Sequence, residues 1–562
     1  MGDPMLELVR EEGLGTLDLE LGRLLARLDG RPAAAPAIGL AAALCSAWRR
    51  HQHSCLPLAH VAGQQLPTAA DAPWGERIPS LDDWQAWLVS SPVVAAAGEE
   101  DRPLVLENDH LYLERLWSAE CQVARQVLAR LSLDEAPADP DGIDALTEDP
   151  EQRTALRAAF QRRLLLLTGG PGSGKTTTVA LLLGLALERR PDLRLRLAAP
   201  TGKAAARLQE ALAGQLERLP DATARRLREL PPASTLHRLL QEADPRGRLR
   251  QLDWLVVDEA SMADLPLMAR VLAALPDEAR LLLVGDPDQL ASVEAGAVLE
   301  ELCAGLEEPT SVDPLPVVVR LRGSRRFAPD SGIGGLTALL REGRAHELPE
   351  LLRAGRPDLL WLPPGGPDWN RRLEEELESG YEPLVAAESA AAALAALGRF
   401  RVLCGQRRGR LGVEGLNFWC ERRWRGGPVP AVRAPLLVTA NDARLGVFNG
   451  DGGLLEGRAG EGARCLLSGG AGPRELRLAQ LPGWAPAWAL TVHQSQGSEW
   501  DHVLLILPEA PSSLLCRELL YTGATRARRR LVIVASEDAL RLAAGRRAVR
   551  CSGLAARLRP PV

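Results

Sequence analysis

Gly169-Gly170-Pro171-Gly172-Ser173-Gly174-Lys175-Thr176 is the stretch on which the fold turns. Its spacing, Gly-x4-Gly-Lys-Thr, is that of a phosphate-binding loop. Glycine carries no Cβ, so successive backbone N–H groups are able to turn inward around a phosphate chain. The loop lies between the apolar run Leu164–Leu167, read as a strand, and the helical run Thr176–Arg189. A helix starting there aims the positive end of its dipole at the same charge. The pattern assigns Lys175 to the β- and γ-phosphates and the Thr176 hydroxyl to Mg²⁺, with Gly169 through Thr177 forming the cradle.

Leu195–Ala198, Trp254–Val257 and Leu281–Val284 are further apolar strands separated by helical stretches. Strands alternating with helices predict an α/β fold, with parallel sheets covered by helices on both faces. The strand ending at Val257 runs into Asp258 and Glu259. These suit Mg²⁺ binding and polarisation of an attacking water, respectively. The next strand leads to Gly285-Asp-Pro-Asp-Gln289, where Gln289 is placed to sense a γ-phosphate or to orient that water. A second strand set is read from about residue 310: Val317–Leu321, Arg401–Leu403, Val503–Leu507 and Leu531–Ala535. Residues 426–482 change to short Gly-rich segments, read as a small β insertion. Residues 1–117 read as helical, with helices in Leu6–Leu28, Ala33–Trp48 and Leu81–Leu88 and a hairpin around Asn108-Asp109. Ala136–Pro150 is a Pro/Asp-rich linker, so the expected domains are 1–117, 140–308 and 309–562, the last carrying the insertion.

The chain has 562 residues, 46% apolar and 25% charged, too long for one ordinary domain. That balance excludes disordered, collagen-like and coiled-coil classes. A net charge of −6 excludes a uniformly basic nucleic-acid coat but allows a local basic track. Ala33–Trp48 contains Pro36 and Gly39 and falls short of the roughly 20 strongly apolar residues a spanning helix needs. Met1–Leu6 lacks the basic start and apolar core of a signal peptide, so the expected location is cytoplasmic, with no membrane partner. None of the nine cysteines forms a CxxC pair. His51-x-His53-x-Cys55 is the one metal-like cluster, read as a loop entering a packed element because no second ligand pair accompanies it. Only two of the 67 Lys and Arg residues are lysines, Lys175 and Lys203, which marks positions needing a compact ammonium rather than a planar fork.

Five segments in order resemble the helicase motifs of superfamily 1, from about residue 150 to the C-terminus. They are Gly169–Thr176, Asp258-Glu-Ala-Ser261, Gly285-Asp-Pro-Asp-Gln-Leu290, Val492-His-Gln-Ser-Gln-Gly-Ser-Glu499 and Tyr521-Thr-Gly-Ala-Thr-Arg526-Ala. Ser324-Arg-Arg-Phe327 with Ser331-Gly-Ile-Gly, Gly412-Val-x-Gly-Leu-Asn417, and Asn441-Asp with Gly446-Val-Phe-Asn-Gly-Asp451 narrow the resemblance to the RecD family, the alpha subunits of bacterial exodeoxyribonuclease V. His53–Leu58 and Leu104–Trp117 fit the same family. The resemblance implies a 5′-to-3′ DNA helicase with two RecA-like domains and ATP with Mg²⁺ between them. It further implies a helical, partner-docking N-terminal domain, an SH3-like insertion, and RecB-like and RecC-like partners in a heterotrimer that unwinds duplex ends for recombinational repair.

Residue roles follow from the same resemblance. Arg326 and Arg526 are implied arginine fingers from the second motor domain, and Gln152 an adenine reader, with helix-start capping as the other reading of Gln152. Thr201, Lys203, Thr235, His237, Thr491, His493 and Gln494 fall where the family contacts single-stranded DNA. Phe327 and Trp500 are candidates for base stacking, and core packing is the alternative for Trp500. An acid-x-Lys nuclease motif does not fit, because Ser173 and Thr201 stand two residues before the two lysines. DNA cutting would then belong to another subunit of the complex. A standalone helicase of the same superfamily and an ATP-dependent DNA-binding switch are the competing readings. The first usually carries a longer N-terminal part with Gly-rich repeats, and the second does not need the Arg526 motif.

Overall fold

The computed structural model describes residues 9, 13–65, 74, 77–99, 101–132, 142–216, 221–244, 246–249, 251–307, 315–323, 326–328, 330–425, 433–442, 444–457, 462–468 and 473–559. Ser324, Arg325, the linker segment 136–141 and residues 426–432 at the start of the expected insertion lie outside them. Among the described residues no helix is long and apolar enough to cross a membrane.

Every residue from Ala37 to Trp48 is buried in the helix Ala35–Arg50, as a helix apolar on all sides must be. It packs on Thr16–Asp29 and on Leu81–Val89. The expected hairpin forms as β3 (Leu104–Glu107) and β4 (His110–Leu113), after β1 (Cys55–Pro57) and β2 (Val94–Ala96). These strands make one sheet, β1-β4-β3-β2. The N-terminal unit is therefore α+β rather than helical; β1 and β2 are three residues each, too short to show a period of two.

The first parallel sheet contains β5 (Leu164–Gly169), β6 (Leu195–Ala199), β7 (Ser234–Thr235), β8 (Trp254–Val257), β9 (Arg280–Gly285) and β10 (Val318–Leu321). Its order is β10-β5-β9-β8-β6-β7 and every pairing is parallel. Leu164 and Leu166 face one apolar cluster while Leu165 and Leu167 face another, and β8 and β9 alternate likewise. Burial on both faces turns these strands into continuous apolar runs. β10 corrects the expectation for Val317–Leu321: it pairs with Leu166–Gly169 of the first sheet instead of opening the second set. Its apolar run signals burial, not membership, and Val319 and Leu321 join the cluster of Leu165 and Leu167. Near Ala243–Asp253 the chain turns around Asp244, which accepts the N–H groups of Arg246 and Arg248, while Leu249 and Leu252 are buried.

The second parallel sheet begins with β11 (Leu359–Leu362) and β12 (Phe400–Cys404). The chain then leaves it for an antiparallel sheet of β13 (Arg433–Val438), β14 (Gly452–Glu456), β15 (Arg464–Leu467), β16 (Arg474–Arg477) and β17 (Trp484–Pro486), ordered β16-β15-β14-β13-β17. β17 lies beyond the expected boundary at 482, and it hydrogen-bonds to β13. The chain returns as β18 (Ala489–Thr491), β19 (Trp500–Ile506) and β20 (Ala527–Val534), closing a parallel sheet β11-β20-β19-β12-β18.

The C-terminal segment runs back to the N-terminal unit. Glu120, fully buried on the helix Glu114–Ser132, accepts from Ser54 Oγ at 2.5 Å, Ser552 Oγ at 2.9 Å, Gly553 N–H at 3.1 Å and Arg557 Nε at 3.4 Å. Cys551 N–H donates to His53 Nδ1 at 2.8 Å. Burial, with Arg550 nearby, pushes the His53 ring down to about 3, so it serves here as a neutral acceptor inside the metal-like His-x-His-x-Cys stretch. Each buried donor that loses its acceptor costs about 1–3 kcal/mol. Glu120→Ala is therefore expected to lower the melting temperature by several degrees and to expose residues 551–559 to protease; an unchanged melting curve would show the carboxylate to be dispensable.

Candidate active site

The phosphate loop leaves the end of β5 and enters the helix Lys175–Arg189. Gly172 and Gly174 have φ of 75° and 94°, in the left-handed region that glycine adopts without strain. A Cβ would lie 2.6 Å from the Arg326 Cβ at the first and 2.7 Å from Gln152 Nε2 at the second, so both glycines also permit close approach. The Lys175 ammonium donates to the carbonyls of Gly169 and Gly170, the latter at 3.0 Å. Ser173 Oγ is buried without a hydrogen-bond partner among the described residues.

Gln152 is 1% exposed. Asp149 caps its helix, accepting from the N–H groups of Glu151 and Gln152. The Gln152 side chain accepts from Thr147 Oγ1 at 2.7 Å, while its Nε2 has no partner among the described residues. It lies against the phosphate loop, not in solvent.

β8 delivers Asp258 and Glu259 to the same cavity. Asp258 Oδ1 accepts the Glu259 N–H at 2.9 Å. Burial first, and the adjacent Glu259 second, raise the Asp258 carboxyl above the usual carboxylate range. Glu259 has φ of +50°, a conformation uncommon outside glycine that turns its side chain out of the strand line.

The loop after β9 is gripped from the side of the second sheet. Asp286 Oδ2 accepts from Gln289 Nε2 and from Tyr521 Oη, each at 3.0 Å. Leu290 N–H donates to Thr522 Oγ1 at 2.8 Å, and Gln496 Nε2 donates to the Leu290 carbonyl. Arg526, 2% exposed, spans the junction. Its Nη2 donates to Gln289 Oε1 at 2.9 Å, its Nε to the Thr522 carbonyl at 3.1 Å and its Nη1 to the Ser498 carbonyl at 3.2 Å.

Arg326 departs from expectation in origin. It follows β10 of the first sheet and lies over Gly172, because the chain crosses between the sheets there. Its Nη2 donates to Glu499 Oε1 at 2.8 Å. Pro171–Thr177, Asp258, Glu259, Gln289, Arg326 and Arg526 line one cavity of about 480 Å³. Arg207 and Glu499 line it too. Neither was singled out from the sequence. Arg207 is one arginine among many, but Glu499 ends a quoted motif and was legible there.

The DNA candidates sit at the carboxyl ends of three strands, two of which, β7 and β18, are sheet edges. Thr201 and Lys203 follow β6, Thr235 ends β7 with His237 just beyond it, and Thr491 ends β18 with His493 and Gln494 just beyond it. Thr201, Thr235 and Thr491 Oγ1 each accept a backbone N–H three residues on, so each also shapes its turn. His237 and Gln494 are exposed, the others partly so. Burial and two nearby arginines, Arg401 and Arg207, lower the Lys203 ammonium to about 8. Phe448 of the β insertion packs against Gly202, beside Lys203. Phe327 is half-buried against the second motor core. Trp500 is 5% exposed in that core, with Lys203 and Arg401 over its ring at 6.0 and 5.3 Å, so the core-packing alternative describes it and base stacking does not.

Two parallel sheets with a phosphate loop, an acidic strand end and a second-sheet arginine on one cavity define a P-loop protein of the helicase fold. Residues 147–356 match the family model of an AAA domain, 486–534 that of the UvrD-like helicase C-terminal domain, and 10–112 that of the N-terminal domain of RecBCD enzyme subunit RecD. RecBCD enzyme subunit RecD of Mycolicibacterium smegmatis is 40% identical, covering 98% of this chain and 98% of that protein. The subunit of the same name from Mycobacterium tuberculosis is 42% identical over 90% of this chain and 87% of that protein. The ATP-dependent RecD2 DNA helicase of Deinococcus radiodurans is 33% identical over 82% of this chain and 61% of that protein. The chain belongs to the RecD family.

Proposed function

We propose that the chain is an ATP-dependent 5′-to-3′ DNA helicase, the motor subunit of a RecBCD-type heterotrimer that unwinds duplex ends for recombinational repair. The carrying observation is the single cavity lined by Lys175, Glu259 and Arg526, which come from both motor sheets. Lys175 and the loop N–H groups bind the β- and γ-phosphates from one side. Arg526 from the second sheet and Arg326 from the crossing after β10 stabilise charge on the transferring phosphoryl group, which ties hydrolysis to the relative position of the sheets. Glu259 polarises the attacking water, Gln289 reports on the γ-phosphate, and Gln152 reads adenine with its Nε2, which has no partner among the described residues. Mg²⁺ suits the donors: the Thr176 hydroxyl and Asp258 carboxylate line the same cavity, hard oxygens around a cation-seeking buried carboxyl. When bound, the ion neutralises phosphate charge.

In this reading the first motor domain extends through β10, the second carries the SH3-like insertion, and single-stranded DNA runs across the loops of Thr201, Lys203, Thr235, His237, Thr491, His493 and Gln494, with Phe327 as its stacking aromatic. The N-terminal unit docks on a RecB-like or RecC-like partner. Leu17, Leu24 and Leu28 support this: they lie on one helix face and are 68%, 44% and 59% exposed. No cutting is assigned to this chain. The RecD2 relative supports a standalone helicase, but the 98% coverage of the RecBCD subunit favours the subunit reading. Unwinding of 5′-tailed against 3′-tailed duplexes, by the chain alone and with its partners, tests the proposal. A 5′-tail preference is expected, and equal or reversed preference would reject the polarity.

A further inference from the structure

Glu499 is a largely enclosed carboxylate with more cationic partners than one charge needs. Its side chain is 12% exposed. Arg326 Nη2 lies 2.8 Å from Oε1, Arg528 Nε 3.1 Å from Oε2 and Arg207 Nη2 3.4 Å from Oε2. Burial alone would push this carboxyl up, yet Arg326, Arg207 and Arg526 hold it down at about 2. It stays ionised throughout the working range.

Position gives this cluster its meaning. Glu499, Arg207 and Arg326 all line the cavity that holds Lys175 and Thr176. A carboxylate and a phosphoryl group present the same kind of oxygen acceptors to a guanidinium fork, so Glu499 takes the place in the arginine cluster that a γ-phosphate needs. Arg207 stands on the helix Gly202–Ala213, which begins between Thr201 and Lys203. Glu499 stands on the segment that begins at Thr491, His493 and Gln494. The ion pair thus joins the two segments carrying the DNA candidates, across the motor halves and at the nucleotide cavity.

We infer that Glu499 is a positioning residue that holds Arg326 and Arg207 away from the phosphates while DNA is absent, and yields them when DNA shifts the two segments. The inference rests on the proposed ATPase reading. It makes Glu499 a brake on DNA-independent turnover rather than a substrate contact.

The test compares ATP hydrolysis with and without single-stranded DNA for the wild type, Glu499→Gln, Glu499→Asp, Arg326→Ala and Glu499→Gln combined with Arg326→Ala. Wild-type turnover that DNA does not stimulate would overturn the underlying reading, separately from this inference. With stimulation present, Glu499→Gln is expected to raise DNA-free turnover about fivefold or more and to lower the KM for ATP, leaving the DNA-saturated kcat within about twofold, as a coupling of this order implies. Relative to Arg326→Ala alone, the added Glu499→Gln is expected to give no gain. Glu499→Asp retains the charge but cannot reach all three arginines, so a smaller gain is expected, and it reports even if the Gln variant does not fold. A raised KM with unchanged DNA-free turnover would identify Glu499 as a nucleotide contact and overturn the inference. A lowered melting temperature with unaltered kinetics per folded molecule would overturn it as well.

Discussion

Lys175→Ala is expected to reduce DNA-stimulated ATP turnover by about 10²–10³-fold, the size of effect seen when one preorganised donor to a developing charge is removed. The ammonium now donates to the carbonyls of Gly169 and Gly170, at the mouth of the loop and partly exposed. Water replaces it on those carbonyls, so the melting temperature is expected to move little, as for surface substitutions worth within about 0.5 kcal/mol. The loop keeps its shape, because its conformation rests on Gly172, Gly174 and the helix they start. Arginine is a poor replacement despite its abundance here, because a planar fork does not fit where a compact ammonium does. Steady-state ATPase and thermal melting on one preparation check the expectation. Near-normal turnover with native melting would remove Lys175 from the phosphate site.

Arg526→Lys is expected to cut turnover and unwinding together, by about 10³-fold or more, while ATP affinity stays within a few-fold. The structure adds a second expected effect. The guanidinium is buried and bonded to the carbonyls of Thr522 and Ser498 and to Gln289 Oε1. Lysine cannot serve all three, and each acceptor left without a donor costs about 1–3 kcal/mol. A lower melting temperature should therefore accompany the kinetic loss. Among the described residues no acid lies within ion-pair distance of Arg526, so a purely structural salt bridge does not explain its burial. Its bond to Gln289 ties the second parallel sheet to the loop that follows β9 of the first. Melting temperature and turnover per folded molecule separate the two effects, and a stability loss with normal turnover rejects the finger.

Much of the fold was legible because it is local. Leu164–Leu167 and Trp254–Val257 are apolar runs ended by glycines or acids, and a run buried on both faces must look like that. The phosphate loop was legible for the same reason: Gly172 and Gly174 are demanded by backbone conformation that only a few residues upstream and downstream determine. The β insertion announced itself by texture, though not its last strand, because Trp484–Pro486 is too short to carry a pattern. Val318–Leu321 reads as a strand equally well in either sheet, and only its pairing with Leu166–Gly169 assigns it.

What the sequence alone determined is the chemistry on offer: a nucleotide cradle, an acidic strand end and a late arginine, in an order shared with the RecD family. The tertiary structure decided who meets whom. Arg526 reaches Gln289 across 237 residues of chain, Glu499 gathers Arg207 and Arg326, and Glu120 ties Ser54 to Ser552 across nearly the whole length. Trp500 shows the same division from the other side, since a tryptophan next to a motif suits stacking or core equally until its neighbours are placed. The physical reason is that backbone conformation is set by residues within a turn or two. Burial, ion pairing and proton affinity are set by whichever distant side chains the packed sheets bring within a few ångströms.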